Sequence, residues 1–204
     1  MRNGLSRAVP QRRPKPFLIG KRVSLRPLEA ADLRGPYRSW LNDPETTRFL
    51  ETGRFPMAPE ALEKAFARLT SDSTTAFFAI VSRVRHRHIG NIKLGPVHPI
   101  HRCASLGILI GERRFRRRGY GVEAVELAVR YGFQQLNLHK ITAGMYADHQ
   151  ASIRLFQKAG FTNEGSLRKH LFCNGLYHDK LLMGILQEEY CARRMRQVSQ
   201  AVRR

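Results

Sequence analysis

Acidic side chains are scarce in this chain, with 16 Asp and Glu against 36 Lys and Arg in 204 residues, for a formal charge of +20 at pH 7. A surplus of that size disfavours cationic partners and attracts anions in general, from RNA and DNA to phosphorylated small molecules, with an affinity that falls as salt rises. Part of it sits at the two ends, in Arg2, Arg7, Arg12, Arg13 and Lys15 and in Arg193, Arg194, Arg196, Arg203 and Arg204. Weak, non-specific nucleic-acid binding through these tails is one expectation, although no aromatic-interleaved basic motif accompanies them.

Long apolar runs are missing as well. LGILIG and LLMGIL fall far short of the roughly eighteen residues of a membrane span, and residues 1–20 lack the apolar core of a secretion signal. No membrane partner and a cytoplasmic location are therefore expected. Cysteine is rare: Cys103, Cys173 and Cys191 are odd in number and share no ligand spacing, so neither a disulfide framework nor a zinc site is expected. His86, His88, His98 and His101 crowd one region without a carboxylate pattern, and no metal is expected there either.

The chain suits one domain, residues 17–190, between a disordered basic tail over 1–16 and a basic helix or tail over 191–204. Ser105 to Leu136 organises it. Leu106, Ile108, Leu109 and Ile110 read as an interior strand, apolar on both faces, and a Gly- and Arg-rich turn follows. Val122, Val125, Val129, Phe133 and Leu136 then recur at helical spacing, with Asn137 as a stop. A strand, a glycine loop and a helix N-terminus make an anion site, because unpaired backbone N–H groups and the positive helix end point into the loop. Phosphate is the natural guest of Arg116-x-x-Gly119-x-Gly121.

The loop RRRGYG resembles the arginine/glutamine-x-x-glycine-x-glycine loop with which the GNAT acetyltransferase superfamily holds the pyrophosphate of acyl-coenzyme A. The downstream segment LNLHKITAGMYADHQASIRLFQKAGFTNEGSLRKHLFCNGLYHDKLLMGIL is similar to a branch that includes ribosomal-protein alanine, spermidine and nucleotide-aminosugar acetyltransferases. The likeness runs from Leu18 to Tyr190 and is dense after Ser105. It implies the α+β GNAT fold, a single mixed, mostly antiparallel sheet of about seven strands with helices on both faces. It also implies acetyl-CoA as co-substrate and no metal. The expected assembly is a monomer or homodimer.

Element by element, Leu18 to Leu28 alternates as a first strand, and Ala30 to Leu41 is a helix interrupted at Gly35-Pro36 and carrying Trp40, either core or cleft wall. Asn42-Asp43-Pro44 is a turn, Pro59 to Leu69 a helix, and Thr74 to Ser82 with His88 to Leu94 a hairpin. Val97 to Cys103 is a loop whose His98 and His101 are candidates to face the acceptor. Lys140 to Ala147 reads as a strand, Gln150 to Ala159 as a helix closed by Gly160, and Asn174-Gly175 as a hairpin turn.

Transfer of an acyl group from a thioester to an amine needs a held donor, an uncharged amine, oxyanion stabilisation and a proton for the thiolate. The resemblance assigns donor binding to the backbone of Ile108, Leu109 and Ile110 and to Arg116, Arg117, Arg118, Gly119, Tyr120 and Gly121. An amine of pKa about 10.4 is neutral in only about one molecule in 2,500 at pH 7, so a proton acceptor is needed. Glu112, at the strand end, is one candidate, with a salt bridge to Arg113 or Arg114 as its alternative role. Where many relatives place a proton-donating tyrosine this chain has Phe156, and Ser152, four residues earlier on the same helix face, is the candidate acid; the resemblance also assigns Phe156, Ser152 and His149 to coenzyme binding. His149 replaces the asparagine that usually holds the pantetheine. His170, Tyr177 and His178 border the last hairpin on the acceptor side. The positive charge favours an anionic small-molecule acceptor such as a nucleotide-linked aminosugar. A protein N-terminus is the second reading, and a basic nucleic-acid module with vestigial coenzyme binding is a third.

Overall fold

The computed structural model describes residues 15–202, so the tail expected over residues 1–16 lies almost wholly outside the described residues, as do Arg203 and Arg204. The chain starts with two short antiparallel strands, β1 (Leu18–Ile19) and β2 (Val23–Pro27), where one long strand was expected. The cause is a tight reversal at Gly20, whose N–H donates to Val23 O. The carboxylate of Glu123 accepts the Lys21 and Arg22 N–H groups of the same turn.

Gly35-Pro36 divides the next helix as expected, into α1 (Ala30–Leu33) and α2 (Pro36–Leu41). The turn at Asn42-Asp43-Pro44 continues into one further helical turn, α3 (Pro44–Thr47). Asp43 precedes it, proline occupies its first position, and Thr46 Oγ1 donates to the Asp43 carboxylate. Helix α4 (Pro59–Ser71) buries Leu62. β3 (Ala76–Ser82) and β4 (Arg87–Leu94) form the expected hairpin, and β5 (Cys103–Ile110) is the central strand.

A 3-10 turn (Arg113–Phe115) leads to α5 (Tyr120–Gln134), and β6 (Lys140–Tyr146) and α6 (Gln150–Ala159) follow. β7 (Thr162–Cys173) and β8 (Leu176–Leu186) flank Asn174-Gly175, whose positive φ values of 50° and 79° fit the hairpin reading. Helix α7 (Gln187–Val202) ends the described chain.

The strands form one sheet in the order β1-β2-β3-β4-β5-β6-β8-β7, and only β5 and β6 run parallel. Splitting the first strand gives eight strands instead of about seven. One face carries α5 and α6 over Ile80, Ile92, Val125, Val129, Ile141 and Ile185, among others. The other carries α1, α2 and α4 over Leu33, Tyr37, Trp40 and Ala79. Strand alternation sends Ile108 and Ile110 to the first face and Leu109 to the second.

A charged cluster is sealed under that second face. Arg26 grips Asp32 with two bonds of 2.6 and 2.7 Å, and Asp32 also lies 3.5 Å from His88. Burial works to raise the Asp32 carboxyl, but the Arg26 bond, the Glu29 N–H and the nearby positive charge outweigh it and hold the group below the usual carboxylate value. Burial also pushes the neighbouring Tyr37 hydroxyl up to about 12. Trp40 is a core residue here, lying against His88 and so close over Gly111 that a β-carbon there would meet its ring at 1.9 Å.

Candidate active site

The sheet opens where its two halves meet. β5 and β6 pair only at Cys103–Lys140, Ala104–Ile141 and Ser105–Thr142, although β5 continues to Ile110 and β6 to Tyr146. Beyond Ser105, β5 stays with β4 and β6 with β8, leaving a wedge between them.

Hydrogen bonding decides which backbone groups face that wedge. Ser105 O accepts from Gly95 and Gly111 N–H donates to Ile89 O, so odd-numbered residues of β5 spend their peptide groups on the β4 side. Ile108 and Ile110 therefore aim theirs into the wedge, and Leu109, expected to share this role, does not. The Ile110 carbonyl is already taken by Arg116 Nε at 2.9 Å. Ile108 N–H, Ile108 O and Ile110 N–H remain, an edge suited to an extended ligand arm that adds as a strand.

At the end of β5 the loop turns through Arg117 and Gly119, both with positive φ, and Gly119 caps α5 at 83°. The N–H groups of Gly119, Tyr120, Gly121 and Val122 precede the first intrahelical donor, Glu123, so this first turn offers free donors and the positive helix end together. An anionic diphosphate fits such donors. Arg117, Arg118 and Gly119 are exposed.

The other loop residues have different work. Arg116 Nη2 bonds Thr46 Oγ1 at 2.9 Å as its Nε holds Ile110 O, so its side chain fastens the strand end to α3. Tyr120 packs edge-on against Phe115, leaving its N–H to the loop. Gly121 is buried, and a β-carbon there would lie 2.7 Å from Leu155 and 3.5 Å from Ile110. Its missing side chain serves the approach of α5 to α6.

Helix α6 brings Ser152, half-buried, and His149, at its N-cap, to the same end of β6. The His149 ring stacks on Phe49 with centroids 4.2 Å apart. Burial, joined by the charges of Arg116 and Arg48 and opposed by Asp148, lowers its pKa, which favours the neutral imidazole at pH 7. Three expectations are corrected. Phe156, assigned to the coenzyme, is 3 % exposed and packs edge-on against Phe161, so it is a core residue. Glu112 lies 3.6 Å from Arg87 on β4, across β5 from the wedge, and not against Arg113 or Arg114. Arg113 pairs with Asp43 and Glu45 instead. His98 and His101 stack on one another beside Cys103, at the far end of β5, about 23 Å of strand from Ile110.

Several site residues carried no sequence signal. Arg22 Nη1 donates to Arg118 O and leans over Gly119. On the acceptor side, Tyr146 is buried beneath Phe49, and its hydroxyl is held by Arg54 Nη2. Burial raises the Tyr146 pKa, with Arg54 opposing. Arg48 lies over the Phe49 ring. No group of three metal-ligating side chains occurs among the described residues, and no described helix is long and apolar enough to cross a membrane.

A splayed parallel pair with a helix start of free N–H groups beside it suits an acyl-coenzyme A donor, and the comparisons agree. Residues 22–162 match the Acetyltransferase (GNAT) domain, and the chain belongs to that family. An uncharacterized N-acetyltransferase, YoaA, of Bacillus subtilis is 30 % identical over 174 residues, spanning 84 % of this chain and 97 % of that one. The spermidine N(1)-acetyltransferase of Vibrio cholerae is 29 % identical over 178 residues, spanning 86 % and 99 %. The crystal structure of the spermidine N-acetyltransferase from Vibrio cholerae in complex with CoA and spermine superposes with a TM-score of 0.76 at 28 % identity, over 83 % of this chain and 98 % of that one. The protein is an N-acetyltransferase that uses acetyl-CoA and transfers the acetyl group to an amine.

Proposed function

We propose that the acceptor is a primary amine on a small molecule that also carries negative charge, as a nucleotide-linked aminosugar does, and that the enzyme works in the cytoplasm. One observation carries the acceptor reading: Arg48, Arg54 and Arg116 gather at the wedge with no carboxylate partner among the described residues. Arg54 and Arg116 bond neutral oxygens, and Arg48 covers an aromatic ring. Nearby acids are mostly spent, Asp43 and Glu45 on Arg113 and Asp148 on His178, with Glu51 left over. A polyamine, the substrate class in the Vibrio cholerae relative's name, would bring several positive charges to this surface and be repelled.

In this reading acetyl-CoA supplies an activated acetyl thioester. The N–H groups of Gly119 to Val122 hold its diphosphate, with Arg117 and Arg118 beside them and Arg22 overhead. Ile108 N–H, Ile108 O and Ile110 N–H take the pantetheine arm as an added strand, and one of the two N–H groups polarises the thioester carbonyl. Ser152 protonates the departing thiolate, and His149 borders the arm from the α6 side.

Thiol release from acetyl-CoA, measured against a nucleotide-linked aminosugar, a peptide with a free N-terminal alanine and spermidine, tests the acceptor. The largest kcat/KM is expected for the aminosugar nucleotide. A preference for spermidine overturns the charge argument, and a preference for the peptide moves the acceptor to a protein N-terminus.

A further inference from the structure

Two imidazoles of the described chain lie beside a carboxylate. His88 faces Asp32 within the interior charged cluster, where the two side chains are only 9 % and 8 % exposed. His178 differs. It lines a cavity of about 110 Å³ between the loop at Arg48 and Phe49, the β6–α6 turn and the β7–β8 hairpin, and its Nδ1 lies 3.4 Å from Asp148 Oδ2.

The ladder explains the meeting. Tyr146 pairs with Lys180, and Ala147 N–H donates to Asp179 O, so the next step sets Asp148 opposite His178. Tyr146 and Asp148, two residues apart, share a face, and the Tyr146 ring packs edge-on against His178 at 5.6 Å. Tyr146 is also the last residue of the wedge strand, so the cavity adjoins the place where the thioester is held in the reading above. Its volume is roughly that of three or four water molecules, enough for the amine-bearing end of an acceptor.

We propose that this cavity receives the acceptor's ammonium group and that His178 Nε2 is the base that takes its proton, with Asp148 as the positioning residue. The carboxylate beside Nδ1 favours the tautomer with its N–H there, leaves the Nε2 lone pair free to accept and stabilises the imidazolium that forms. The ammonium gives one proton to Nε2 and becomes a neutral amine. Its nitrogen lone pair forms the N–C bond to the acetyl carbon, and the C–S bond electrons leave with the thiolate. A second proton from the nitrogen ends on that sulfur, and the imidazolium later releases the first to solvent.

Imidazole is the side chain whose ordinary titration lies closest to neutrality, as removal of an amine proton at pH 7 requires. The charged or titratable groups around it are Asp148, Tyr146, Arg48 and Cys173 on the cavity wall, His149 beside Asp148 and Phe49, Arg54 and Glu51 beyond Tyr146, and His170 and Lys180 on its own hairpin. The inference rests on acetyl transfer to an amine and not on the acceptor's charge.

The test is the pH profile of kcat/KM, with whichever amine of the panel turns over best, for the wild type, His178→Gln, Asp148→Asn, Asp148→Glu and His149→Gln. Calorimetric binding of acetyl-CoA confirms that each variant is folded. The wild type is expected to show a rising limb with pH. His178→Gln should lose that limb and about a hundredfold in rate at neutral pH. Asp148→Asn should lower kcat with little change in KM, Asp148→Glu should restore part of the loss, and His149→Gln should keep the limb. A rising limb that persists in His178→Gln, or a loss of rate equal at every pH, overturns the proposal. A spermidine preference with the limb lost in His178→Gln would refute only the acceptor class.

Discussion

The two sides of the wedge are built from different material. In the proposed function the groups facing the donor are main-chain: the peptide edge of Ile108 and Ile110, and the N–H groups that open α5. The groups proposed to face the acceptor are side chains drawn from remote segments, with Arg54 reaching Tyr146 across 92 residues and Phe49 stacked on His149. A main-chain site tolerates substitution wherever backbone geometry survives, so one loop can serve a whole family. A side-chain site changes with every substitution, so in the proposed function acceptor choice is written there.

The largest expected effect lies beneath both regions. Asp32→Asn removes the partner of the largely covered Arg26 side chain, 11 % exposed, and is expected to cost about 3–5 kcal/mol in urea unfolding at pH 7. The Asp32 carboxyl is held below its ordinary value of 3.8, so its contribution is complete above about pH 4 and is lost as pH falls through the lower, folded-state value. The gap between wild type and variant should therefore narrow in acid, and a gap of equal size at pH 3 would show that the ion pair is not its source.

Gly119→Glu comes next, putting a β-carbon on a residue at φ 83° and a negative charge among the donors. Calorimetry should show at least about a hundredfold weaker acetyl-CoA binding. Ser152→Ala is expected to lower turnover by roughly ten- to a hundredfold with little change in coenzyme affinity, and unchanged turnover would remove its acid role. Arg22→Ala should raise the KM for acetyl-CoA about threefold to tenfold, since one charge-assisted bond is lost at an exposed position. Arg118→Ala sharpens the comparison most at the small end. If the main chain does the holding, its KM should stay within about twofold, and a larger rise would give the donor side a side-chain component.

Legibility in the sequence followed the same divide. The bounds of α6, the αL glycine at Gly160 and the Asn174-Gly175 reversal are set by neighbours in the chain, and each was readable from spacing and turn chemistry. So was the strand-loop-helix at Gly119. The split of the first strand was not, because the group that captures the Lys21 and Arg22 N–H groups, Glu123, lies about a hundred residues away. Leu109 and Phe156 show the same limit at finer scale. The family resemblance put both near the ligand, but hydrogen-bond parity turned the Leu109 peptide toward β4, and packing against Phe161 drew Phe156 into the core. Glu112 was placed at the right strand end, but its partner, Arg87, comes from another strand.

The central claim is that the free amides of the α5 start grip the coenzyme's diphosphate. Amide hydrogen exchange followed by NMR during titration with acetyl-CoA reads those groups directly. Slowed exchange and shifted resonances at Gly119, Tyr120, Gly121 and Val122 on saturation are the expected result. Saturation that leaves those four amides exchanging as in the free protein would contradict it.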